Sequence, residues 1–107
     1  MEKLKAAFIF IYPAEGDPSV APVCQGWTET PGVDLLAIGV ASYEQACEAA
    51  RKAVAEYGLG AVELCGGFGL EGVAMVAKAV DVPVGVVRFD VHPGLGGVSG
   101  DKLFLKA

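Results

Sequence analysis

The chain has 107 residues, 53% of them hydrophobic and 20% charged, with a net charge of −5 and a pI of about 4.7. This composition describes one domain with a packed core, too short for two and too apolar for a disordered chain. The acidic balance excludes nucleic acid and anionic membrane as partners, because both select basic patches.

The segment Leu4 to Tyr12 is a continuous apolar run rich in β-branched and aromatic residues, closed by Pro13. Such a run predicts a strand buried on both faces, in the centre of a parallel sheet. Met1 to Lys5 place basic residues ahead of it, as a secretory leader does. However, Phe8, Ile9, Phe10, Ile11 and Tyr12 suit a strand, and no small-residue cleavage site precedes Pro13, so a cytoplasmic protein is expected. From Pro13 to Gly32 four prolines interrupt the pattern. Val20, Val23, Cys24 and Trp27 fall at i, i+3, i+4 and i+7, which predicts one or two helical turns starting near Pro22.

Asp34 to Val40 reads as the second strand. Ser42 then opens a helix with Gln45 at the third position, the S-x-x-Q form of a capping box. Tyr43, Ala46, Cys47, Ala50, Ala53, Val54 and Tyr57 share one face, charged residues take the other, and Gly58 supplies the stop. Ala61 to Cys65 is the third strand. The glycine turn Gly66-Gly67-Phe68-Gly69 follows, then a second helix from Leu70 with Leu70, Val73, Ala74, Ala77 and Val80 along its apolar stripe. Val84 to Phe89 is the fourth strand. Beyond it a glycine-rich tail runs from Asp90 to Asp101, ahead of the apolar ending Leu103-Phe-Leu105.

Strands alternating with helices predict right-handed crossovers and an α/β fold with its sheet covered on both sides. The expected architecture is a single three-layer domain of four mainly parallel strands in the flavodoxin-like order 2-1-3-4. A half-barrel of βα units completed by dimerisation is the alternative. In such sheets ligands bind beyond the carboxyl ends of the strands, so the loops after Tyr12, Cys65 and Phe89 are expected on one rim.

Lys5-Ala-Ala-Phe-Ile-Phe, Thr30-Pro-Gly-Val-Asp-Leu, Ser42-Tyr-Glu-Gln-Ala, Glu63-Leu-Cys-Gly-Gly-Phe-Gly and Pro83-Val-Gly-Val-Val-Arg-Phe-Asp are found along the chain, with His92-Pro-Gly-Leu and Ser99-Gly-Asp near its end. Together these strings resemble a family of small, uncharacterised bacterial proteins described as a domain of unknown function. The resemblance covers nearly the whole chain and implies no particular chemistry. Pro22 departs from it, interrupting a segment where the family pattern implies a smoother helix.

The residues themselves suggest where chemistry would lie. A strand, a glycine turn and a helix start place free N–H groups and the helix dipole together, which suits an anion. The turn matches neither the dinucleotide nor the Walker pattern, so no cofactor is expected. Cys65 at the strand end is a candidate nucleophile or acid; its alternative is a small buried core residue. His92, the single histidine, is a candidate base on the same rim, or a solvated loop residue. Glu63 shares the side-chain parity of Cys65 and is read as a catalytic acid–base carboxylate that would orient or neutralise, or as the structural partner of Arg88. Arg88 and Asp90, with Gly66, Gly67, Phe68 and Gly69, are the candidate ligand-binding residues. One histidine and scattered carboxylates give no metal-ligand spacing, and three cysteines without a CxxC pair read as free thiols. Tyr43, Tyr57 and Trp27 are read as core or interface residues.

The function expected is binding of a small anionic metabolite in a rim pocket, with thiol or proton-transfer chemistry open to it. A non-catalytic oligomeric module is the rival. A mean hydropathy of +0.49 leaves apolar surface outside so small a core, so a homo-oligomer is expected in either case.

Overall fold

A computed structural model describes residues 3–106; Met1 and Glu2, part of the leader-like start, lie outside them. Five strands form one sheet: β1 (Leu4–Ile11), β2 (Cys24–Glu29), β3 (Val33–Val40), β4 (Ala61–Leu64) and β5 (Val84–Val86). The helices are α1 (Tyr43–Tyr57), α2 (Leu70–Ala79) and α3 (Gly100–Phe104), with single 3-10 turns at Pro18–Val20 and Pro93–Leu95.

The sheet order is β2-β3-β1-β4-β5. β1 pairs in parallel with β3 and β4, and β4 with β5, while β2 is antiparallel to β3. The four parallel strands therefore stand in the expected order, with an antiparallel edge strand added. A half-barrel would need neighbours in sequence order, which this crossed order rules out.

The helical turns expected near Pro22 do not form. Cys24 to Glu29 pair with Gly39 to Asp34 instead, and all six residues of β2 are exposed. Backbone pairing with a buried strand outweighs a helical spacing that has no core face to bury. Trp27 packs edge-on against Tyr57, with ring centroids 5.2 Å apart.

That substitution decides the layering. The β3–α1–β4 and β4–α2–β5 crossovers step the same way along the sheet, and right-handed crossovers stepping one way put their helices on one face. The connection from β1 to β3 steps the other way and would have covered the second face, but it passes through β2 rather than a helix. The domain therefore has two main layers, not the three expected. Against the helices lie Ala7, Ile9, Leu36, Ile38, Val62 and Leu64, all fully buried. Each large side chain among them stabilises the fold by roughly 1.5–3 kcal/mol relative to exposure. The opposite face presents Leu4, Phe8 and Phe10 from β1 and Val33, Leu35 and Ala37 from β3, fully or half exposed.

The first helix follows its sequence signals. Ser42 Oγ accepts the Gln45 N–H at 3.0 Å, and Gly58 ends the helix at φ 65°. The reciprocal bond shifts by one residue: Gln45 Oε1 accepts from the Ala41 N–H at 2.8 Å. Its amide nitrogen donates to the Ala21 carbonyl at 2.9 Å, tying the proline-rich loop to the helix. In α2 the buried residues are Gly72 and Val76, while Leu70 is 60% exposed. The stripe expected through Leu70, Ala74 and Ala77 is rotated because Tyr43 fills the space at Gly72, where a Cβ would overlap its ring.

Candidate functional site

The carboxyl ends of β1, β4 and β5 converge as the alternation of strands and helices requires. Cys65 N–H donates to the Ile9 carbonyl at 3.0 Å and Val87 N–H to the Leu64 carbonyl at 3.0 Å, so the chain leaves the sheet at one level. A Cβ on Gly66 would overlap the Phe89 ring and come 3.3 Å from His92 Cδ2, and one on Gly67 would crowd Ile11. The glycine turn thus lies between the loop after β1 and the loop after β5. Its glycines serve close approach; among the described residues positive φ is confined to Gly16, Gly58, Gly96 and Gly97.

A carboxylate of the same chain sits on the N-terminus of α2. Asp101 Oδ2 accepts from the Glu71 N–H at 2.9 Å and Oδ1 from the Gly72 N–H at 3.2 Å. The Tyr43 hydroxyl donates to Oδ1 at 2.9 Å and accepts the Gly69 N–H at 3.1 Å. Gly69 is the N-cap and has no side chain to cap with, so Tyr43 and Asp101 supply from a distance what a Ser or Asp usually supplies locally. The negative charge lies where the helix dipole favours it. Burial pushes the Tyr43 phenol pKa upward and the Asp101 carboxylate adds to the rise, while the Gly69 N–H opposes it.

The contact is close on every side. A Cβ on Gly69 would overlap Asp101 and Ser99, and one on Gly100 would overlap the Gly67 carbonyl. Ser99 Oγ accepts the Asp101 N–H at 3.2 Å, and Phe104 packs at 5.8 Å from the Tyr43 ring, which stacks on Phe68 at 5.5 Å. Phe68 is buried. The tail from Asp90 onward therefore ends in a docked segment.

The remaining candidates fall into four settings. Cys65 is half-buried against the core cluster, and its sulfur accepts the Gly67 N–H at 3.3 Å. Glu63 does not share that setting: it is exposed, between the buried Val62 and Leu64. Arg88 pairs with Asp90 rather than Glu63, through Nε to Oδ1 at 3.1 Å and a second nitrogen to Oδ2 at 3.2 Å. Both partners are well exposed, which makes the pair worth about 0–1 kcal/mol. His92 borders Gly66, stands edge-on to Phe89 at 4.8 Å, and accepts the Gly94 N–H on Nδ1 at 2.9 Å.

The hollows on this rim lie elsewhere. One of about 250 Å³ is bounded by Pro13, Ala14, Ala41, Leu103 and Phe104 among others. A shallower one of about 550 Å³ follows the loop from Tyr12 to Pro22. Neither is lined by Cys65, Arg88, Asp90 or His92. Among the described residues no group of three His, Cys, Asp or Glu side chains is placed to hold a metal ion, and no helix is long and apolar enough to cross a membrane.

Sequence reasoning missed two site residues. Tyr43 was read as core, which it is, but its hydroxyl also reaches the α2 terminus. Asp101 is read only as the end of the glycine-rich tail, with no role of its own. The signal available was Ser99-Gly-Asp, a small residue beside a carboxylate just ahead of an apolar ending; it gave no hint that the carboxylate caps a different helix.

Fold and site together define a small α/β protein whose glycine turn is closed by the side-chain carboxylate of its own Asp101. The chain belongs to the family of unknown function DUF6506, which matches residues 4–102. No curated protein and no solved structure matches it.

Proposed function

We propose that this protein binds a small carboxylate- or phosphate-bearing metabolite at the glycine turn, in exchange for the Asp101 carboxylate. The observation that carries this reading is the carboxylate itself, held by the Glu71 and Gly72 N–H groups and the Tyr43 hydroxyl. A donor set that holds one carboxylate suits another of like geometry. Gly96 and Gly97, both at positive φ, form the joint about which the Ser99–Phe104 segment would lift. Cys65 and His92, which flank the turn, are the side chains available for thiol or proton-transfer chemistry on the bound molecule. Three free thiols fit a reducing, cytoplasmic setting.

The test follows the backbone amides of Gly69, Glu71 and Gly72 by NMR during titration with inorganic phosphate and with acetate. The titration runs to about 10 mM, well past a Kd of ~1 mM. Saturable shifts at these amides, stronger in Asp101→Ala, are expected. Amides that stay unmoved in both proteins would defeat the reading.

A second reading, a non-catalytic module, is favoured by a different observation: the turn's donors are already satisfied within the chain. Under it Asp101, Tyr43 and the glycines serve folding alone, and the same titration gives no response.

A further inference from the structure

Parallel sheets are almost always covered on both faces, yet here four parallel strands have helices on one face only. On the other, alternation along β1 and β3 brings Leu4, Ala6, Phe8 and Phe10 beside Val33, Leu35 and Ala37. Leu4 is 46% exposed, and Phe10 and Val33 are each 39% exposed. Phe10 lies over Gly39, its register partner, where a Cβ would come 2.7 Å from Cζ. The aromatic ring thus flattens this part of the face. Contiguous apolar area of this kind marks a contact surface.

We propose that this face packs against the same face of a second copy of the chain, sheet on sheet, as a two-fold dimer. Charge identifies the occupant. Alternation places no ionic side chain on this face from β1, β2 or β3, and Glu63 on β4 is its one carboxylate among the strands. A basic or acidic partner would find little to pair with, whereas an identical neutral face is self-complementary. A two-fold axis along the β1–β3 seam lays β1 of each copy over β3 of the other. It also sends each Glu63 to an opposite flank, over the small residues Gly26 and Thr28 of the partner's edge strand. The two carboxylates are kept apart and each meets a hydroxyl.

Size is consistent with this occupant. The four strands that overlap about this axis, of eight, six, eight and four residues, at ~3.3 Å per residue and ~4.8 Å spacing, give each sheet a covered plan area of roughly 400 Å². Two faces, with side-chain relief and the rim added, reach the lower end of the roughly 1,200–2,000 Å² buried by stable interfaces. The inference does not depend on any ligand at the glycine turn.

Sedimentation equilibrium on the full chain, over a dilution series, tests it. The expected result is a species of twice the 11.0 kDa chain mass that dissociates on dilution. Phe10→Glu and Leu35→Glu should each weaken association by on the order of a hundredfold or more, because each buries two unpaired carboxylates per dimer. Ala77→Glu, on the exposed side of α2, should leave it unchanged. Circular dichroism establishes that each variant is folded, and Val33→Lys at the margin of the face serves as a milder second probe. A wild-type chain that stays at 11.0 kDa throughout would overturn the proposal. So would a dimer that survives all three face substitutions but is lost in Gln25→Pro, which would place the contact at the β2 edge.

Discussion

The Tyr43 hydroxyl and the Asp101 carboxylate meet at 2.9 Å across 58 residues of sequence, and between them they satisfy three N–H groups at the start of α2. Removing the carboxylate leaves the Glu71 and Gly72 N–H groups to water and takes a favourable charge from the helix terminus. Asp101→Ala should lower stability by about 2 kcal/mol, the range of a lost N-cap or charged hydrogen bond. Asp101→Asn, which keeps one acceptor but loses the charge, should cost roughly half of that. Urea denaturation measures both. Gly100→Ala should give a comparable loss through overpacking, because its methyl would meet the Gly67 backbone, which has little freedom to move. Equal stability in all three variants would show that the docked tail contributes nothing.

The same pair makes a prediction for alkaline pH. An unfolded tyrosine loses its proton near pH 10, whereas in the folded chain burial, followed by Asp101, holds the Tyr43 proton to higher pH. Stability is therefore fully present below about pH 10 and falls as pH rises past it, by up to about 1.4 kcal/mol per pH unit for this one group. Tyr43→Phe should be less stable at neutral pH but should lose less on going to alkaline solution. A wild-type stability curve parallel to that of the phenylalanine variant would remove Tyr43 as the source.

The three thiols should react in a fixed order. Cys24 is exposed, Cys65 half-buried and Cys47 buried. Burial pushes the Cys47 thiol up in pKa, with Arg51 opposing in part. Since only the thiolate attacks, iodoacetamide at neutral pH, on chain diluted to the monomer, should label Cys24 first and Cys47 last, with Cys47 slower by on the order of tenfold or more. Peptide mass spectrometry reads the order. Cys65 labelled ahead of the more exposed Cys24 would identify an activated thiol beside the glycine turn.

Much of the fold was legible because some residues allow only one local outcome. Ser42 with Gln45, and Gly58 at the far end, bracket α1 by cap chemistry. The unbroken apolar runs of β1 and β3 have no stable place but the centre of a parallel sheet. The strand β2 was not legible, because an exposed edge strand shows no alternation and its register is set by β3 rather than by its own residues. The buried stripe of α2 was misjudged for a related reason: Gly72 carries no hydropathy signal, and what occupies its place is a tyrosine from another helix. At the site, the glycine turn and its position on the rim were readable, since strand, turn and helix are contiguous in sequence. Its closure by Asp101 was not, because that contact spans thirty residues and depends on how the tail folds back.

Thirty residues separate Glu71 from the carboxylate that accepts its N–H, and at about 5–20 residues per second the ribosome takes roughly 1.5–6 s to make them. Throughout that interval the Glu71 and Gly72 amides lack the carboxylate that caps them. An element begun early is thus finished by a segment translated well after it, and α2 gains its cap only when that later segment has followed.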